Sequence, residues 1–162
     1  MKKFFYCITT IFAIAFIMSS CQDSFGTQNF VFVVETETEN DSYKIEYVKR
    51  YVNGKEREKV QIDTVGKIFY THVEIQHSTI GQNIEYLPII IKRENGNGTI
   101  KFSVVEFNGL ESPSFEELPE SLKKLNNTLS EEDLDWVHKN ATYSETLQPT
   151  ETEKEILINS IL

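Results

Sequence analysis

Apolar and polar side chains alternate along residues 29–107. In "NFVFVVETETE" (29–39), Phe30, Phe32, Val34, Thr36 and Thr38 share one side and Val31, Val33, Glu35, Glu37 and Glu39 the other. That pattern predicts a strand buried at its start and half exposed at its end. Asn40-Asp41-Ser42 then supplies turn chemistry. In "YKIEYVKRYVNGKEREKVQID", Asn53-Gly54 sits between two alternating arms, the signature of a hairpin closed by a two-residue type I′ turn. With Val52 opposite Lys55, the register sets Tyr47 against Val60, Ile45 against Ile62 and Lys49 against Glu58. One face then carries Tyr43, Ile45, Tyr47, Tyr51, Val60, Ile62 and an ion pair. Lys44, Arg50, Arg57 and Lys59 fall on the other face, which reads as solvated.

Residues 67–77, "KIFYTHVEIQH", place Phe69, Val73 and Ile75 on one side, with Tyr70, His72, Glu74 and Gln76 opposite. "IEYLPIIIKRENGNGTIKFSVVEF" reads as a second hairpin turning at Asn95-Gly96-Asn97-Gly98, which allows more than one register. A turn at Asn95-Gly96 matches apolar residues best, with Ile91 opposite Ile100, Ile89 opposite Phe102 and Leu87 opposite Val104. Pro88 lacks a backbone donor, which predicts an edge or bulged position for its arm.

After Phe107 the pattern changes. Pro119 can open a short helix carrying Leu122 and Leu125. Ser130 with Asp133 forms a capping box before Leu134, Trp136 and Val137, and Thr150 with Glu153 repeats the pattern before "ETEKEILINSIL". The resulting expectation is an α+β domain over residues 29–162: an antiparallel sheet of about six strands, including two hairpins, followed by about three short C-terminal helices.

Charge follows the same division. Residues 29–107 hold 12 acids and 10 bases, whereas residues 108–162 hold 12 acids and 4 bases. The acidity therefore concentrates in the C-terminal third. Glu131, Glu132, Asp133 and Asp135 invite a metal or acid/base reading, but a helix N-terminus accounts for them through its dipole, and Glu151, Glu153 and Glu155 invite the same account.

The first 21 residues have a different organisation. Met1-Lys2-Lys3 is a short positive start, and residues 4–18 are apolar apart from Thr9 and Thr10, the layout of a secretory signal and too short for a membrane span. Met18-Ser19-Ser20-Cys21 resembles the lipobox of bacterial lipoprotein signal peptides, with Met18 where the family prefers Leu. The resemblance implies cleavage between Ser20 and Cys21 and acylation of the Cys21 thiol, which would anchor the protein firmly to a membrane. Gln22 after the cysteine resembles cargo sent to the outer membrane. Residues 1–20 are then discarded, residues 21–28 form a short tether, and the domain sits close to the headgroups. Cys7 and Cys21 are the two cysteines of the chain, so no disulfide can form downstream of them.

Candidate chemistry in the domain is sparse. His72 and Glu74 share a strand face at i, i+2 and form the one pair suited to metal or proton chemistry. His72 and His77 face opposite sides, and His138 has no HExxH partner. No GxSxG, Walker, CxxC or EF-hand pattern occurs. Asp63-Thr64-Val65 resembles an O-glycosylation sequon of exported bacterial proteins. Without Lys2 and Lys3, the 16 basic residues fall to 14 against 25 acids, a balance that repels nucleic acid. The expectation is a membrane-anchored envelope lipoprotein without a cofactor or resident metal, binding an envelope protein or a small hydrophobic ligand. A lipid-anchored hydrolase or metal-dependent enzyme using His72 and Glu74 is the alternative.

Overall fold

The computed structural model describes residues 25–52, 55–78, 86–109, 112–125 and 128–159. Its strands are β1 (Phe25–Thr36), β2 (Ser42–Val52), β3 (Lys55–Val65), β4 (Ile68–Ser78), β5 (Tyr86–Asn95), β6 (Ile100–Phe107), β7 (Tyr143–Leu147) and β8 (Glu153–Asn159). Between β6 and β7 lie a 3₁₀ turn (Phe115–Glu117) and helices α1 (Glu120–Lys124) and α2 (Glu131–Asn140).

The strands run in the order β7-β6-β1-β4-β2-β5-β8, with β3 attached to β2. The sheet curls until its two ends meet, where the Asn159 N–H donates to the Tyr143 hydroxyl at 2.8 Å. The product is a nearly closed barrel. At this strand number a barrel interior is about as wide as the side chains that fill it. Phe30, Phe32, Val34, Tyr43, Ile45, Ile89, Ile91, Phe102, Ile156 and Ile158 are among those that do. Phe32 meets Phe102 and Tyr47 edge-on, at centroid distances of 5.3 and 5.7 Å.

Strand β1 is buried on both faces. Its even-numbered residues fill the barrel, while Val31 and Val33 point outward and are roofed by Leu118, Leu122, Leu129 and Val137. The "FVFVV" run thus reads as a strand between two layers. Helix α2 begins as its capping box predicts, with Ser130 Oγ accepting from the Asp133 N–H at 3.2 Å and Asp133 Oδ2 accepting from the Ser130 N–H at 2.9 Å. Partial burial works against ionisation of Asp133, yet the Ser130 N–H and hydroxyl hold its carboxyl below the ordinary value.

The first hairpin has the predicted register, with Tyr47 opposite Val60, Ile45 opposite Ile62 and Val52 opposite Lys55, broken by a bulge between Val48 and Tyr51. At the bulge Glu58 stands opposite Arg50 instead of Lys49, although Lys49 Nζ lies 3.5 Å from Glu58 Oε1.

Three expectations are overturned. The α+β architecture gives way to a mostly β barrel in which two helices interrupt the strands instead of following them. The third C-terminal helix, expected from Thr150, is strand β8: Ile156 and Ile158 alternate with exposed residues and pair opposite Ile89 and Leu87. Of the acids that suggested a helix start, Glu153 and Glu155 lie on β8 and Glu151 closes a turn, with the Gln148 N–H donating to Glu151 Oε2 at 2.7 Å and the Glu151 N–H to the Gln148 carbonyl at 2.9 Å. Strand β7 precedes that turn and completes β6, an element for which "YSETL" offers little apolar periodicity.

The second hairpin does not form either, because β5 pairs with β2 and β8 while β6 pairs with β1 and β7. The Asn95–Gly98 segment crosses the barrel end over the wholly buried Asp41. Asp41 Oδ1 accepts from the Gly98 N–H at 3.3 Å and lies 3.9 Å from the Arg93 guanidinium. A Cβ at Gly96, where φ is +92°, would collide with the same oxygen, and one at Gly98 would crowd Oδ2. Both glycines are needed for this close approach.

A groove between strands β2, β3 and β5 as candidate functional site

The groove follows from two local irregularities. The β2–β5 ladder runs from Ser42 opposite Asn95 to Tyr47 opposite Ile89 and stops before Pro88, which has no N–H to continue it. On the other side, β2 bulges after Val48, and its end turns to meet β4 in parallel at Arg50 with Gln76 and Tyr51 with His77. Strand β2 therefore pairs with β5 along its first half and with β4 at its end. Where β2 and β5 part, a cavity of about 400 Å³ opens. That size lies within the range of small-molecule sites.

Val48, Val60, Pro88 and Ile90 give the groove an apolar floor, and Glu46, Glu56, Lys59 and Gln61 line it with polar groups. Lys59 Nζ lies 2.7 Å from Glu56 Oε2, and this hydrogen bond raises the ammonium above its ordinary pKa. Glu46 Oε2 accepts from Lys92 Nζ at 2.8 Å. Burial pushes the phenol of Tyr47 upward, with the Glu58 carboxylate adding to it, so it stays neutral and able to donate. Carboxylates, an ammonium, an amide and a phenol around an apolar floor can hold a ligand's polar group by hydrogen bonds while burying the rest.

A second hollow of about 330 Å³ lies against the outer side of β1, β6 and β7 and is lined by Glu35, Thr36, Glu37, Thr99, Lys101 and Thr146. Glu37 accepts the Thr99 N–H at 3.1 Å, which holds its carboxyl below the usual range. Nearby, His138 Nε2 lies 2.6 Å from Glu35 Oε1 and ties α2 to β1.

No protein-family model, curated protein or solved structure matches this chain.

The residues singled out from sequence are placed as follows. Ser20 and Cys21 lie outside the described residues. His72 stands on β4 between the rings of Phe107 and Phe115, at centroid distances of 5.6 and 6.0 Å. Its Nε2 is 2.8 Å from the Leu122 carbonyl oxygen, which can only accept, so Nε2 carries the proton and pins α1 to the sheet. Glu74 is exposed and accepts from Gln76 Nε2 at 2.6 Å. The two side chains thus have separate partners. Among the described residues, no three His, Cys, Asp or Glu side chains gather as a metal site would need. The groove residues escape sequence reasoning because Lys59 and Gln61 look like any solvated strand face. Pro88, interrupting an otherwise apolar strand, is the one signal that marks the place.

Proposed function

We propose that the protein is a lipoprotein of the bacterial outer membrane, anchored through an acylated Cys21, whose barrel is a non-catalytic binding module. The groove between β2, β3 and β5 is its working surface. The observation that carries this reading is the break in the β2–β5 ladder at Pro88, which leaves an apolar-floored cavity of about 400 Å³ in a barrel whose interior is filled. The ligand it suits is a small hydrophobic molecule bearing one hydrogen-bonding group, or an apolar side chain of an envelope protein.

Two measurements test the proposal. Replacing Cys21 with Ala releases the protein from the membrane fraction, and retention of that variant overturns the anchor. An apolar fluorescent probe titrated into the acyl-free Cys21→Ser protein binds in the groove, and Ile90→Lys weakens that binding about tenfold by placing a charge on the floor, a loss of about 1.4 kcal/mol. Unchanged probe affinity in Ile90→Lys would refute the groove.

A further inference from the structure

We propose that the outer face of β5 and β8, at the barrel end where β1 begins, rests on the lipid bilayer through Tyr86 and Leu157. The inference relies on the acylated Cys21 of the proposed function, and adds which side of the barrel meets the membrane.

Strand β1 begins at Phe25, so three residues separate it from Cys21 and the four residue steps span at most about 14 Å. The start of β1 is therefore the membrane end of the barrel. Gln28 Nε2 donates to the Asn159 carbonyl oxygen at 3.4 Å, which puts the end of β8 beside that start. Tyr86 pairs with Asn159, and Pro88 with Leu157. Because Leu87, Ile89, Ile156 and Ile158 fill the barrel, the residues alternating with them face outward.

On that outward face Tyr86 and Leu157 are each 49% exposed. Pro88 and Ile90, both half-buried, continue the apolar strip along β5 to the groove. A tyrosine beside aliphatic residues suits the headgroup boundary, where the ring is buried and its hydroxyl stays wet. Two side chains bind a bilayer weakly by themselves, but the anchor holds them beside it at high effective concentration, so they set orientation rather than affinity.

Val65 and Ile68 are also exposed, yet they flank Gly66, whose N–H donates to the Asp41 carbonyl at the opposite barrel end. The 12 residues of β1 put about 40 Å between the two ends, more than the link from Cys21 can bridge. Val65 therefore serves as the control. With β5 and β8 on the bilayer, the groove opens beside the headgroups.

The test uses the acylated mature protein reconstituted into vesicles of phosphatidylethanolamine and phosphatidylglycerol, with one introduced thiol carrying a polarity-sensitive fluorophore. Glu155→Cys places the label opposite Ile90 and two residues from Leu157 on the same face, and leaves Tyr86 and Leu157 in place; Tyr86→Cys and Val65→Cys are made alongside. The expected result is a blue shift on vesicle binding for the labels at 155 and 86 and none at 65. Labels at 155 and 86 as water-exposed as the one at 65, on protein that floats with the vesicles, overturn the docking and leave the anchor standing. Failure to float overturns both.

Discussion

Two Asn-Gly segments in this chain end in different structures. On either side of Asn53-Gly54, Val52 pairs with Lys55, and the strands stay together along β2 and β3. At Asn95–Gly98 the chain leaves β5 and enters β6, two strands that do not pair, and it crosses the barrel end over Asp41. The first segment links two strands that are paired up to its ends. The second uses Gly96 and Gly98 to let a buried carboxylate approach the backbone. The lesson is that a glycine can answer to a neighbour distant in sequence as readily as to the turn it sits in.

This difference predicts unequal costs. Gly96→Ala must relieve both a left-handed φ and a collision with Asp41, and is expected to cost about 4 kcal/mol or the folded state itself, read as the urea midpoint. Asp41→Ala strips the buried Arg93 of its carboxylate and leaves the Gly98 N–H without an acceptor, for about 3 kcal/mol by the same measurement. A loss below about 1 kcal/mol for either would mean that the crossing is held by something other than Asp41.

Alkaline pH probes both ends of β2. Burial pushes the phenols of Tyr43, opposite Arg93, and Tyr51, opposite Glu56, up to about 12 from an ordinary 10. A raised folded-state pKa means stability that is fully present below pH 10 and lost as pH climbs toward 12, because the unfolded chain ionises first. Urea midpoints should fall over that window, and Tyr43→Phe or Tyr51→Phe should flatten part of the decline.

Gly54→Ala, in the link between the paired Val52 and Lys55 where the sequence predicts a type I′ turn, should cost about 1 kcal/mol, well below Gly96→Ala. Equal costs at the two sites would erase the distinction. Lys49→Ala removes an exposed partner of Glu58 and should change stability by less than about 0.5 kcal/mol.

The same contrast explains what was legible in advance. The first hairpin and its ion pair could be read because every decisive contact lies within about ten residues of the turn. The helix at Ser130 could be read because its capping box is contained in four positions. The Thr150–Glu153 box has the same spacing as Ser130–Asp133, yet there the chain becomes β8, since Ile156 and Ile158 gain a place inside the barrel opposite β5. Local capping contributes about 1 kcal/mol, and fully burying two isoleucines contributes about 3 to 6 kcal/mol, so burial decides. The His72 and Glu74 spacing was legible as well, but not that α1 would settle over His72 and take its Nε2 proton into a hydrogen bond.

By itself the sequence determined the alternating strands, the register of most of the β2–β3 hairpin and the start of α2, all set by neighbours in the chain. Only the tertiary structure decided that β5 and β6 part, that β8 is a strand, and that a groove opens at Pro88. Each of those depends on which distant strand supplies the pairing edge and the buried face, and periodicity along one strand is blind to its partner.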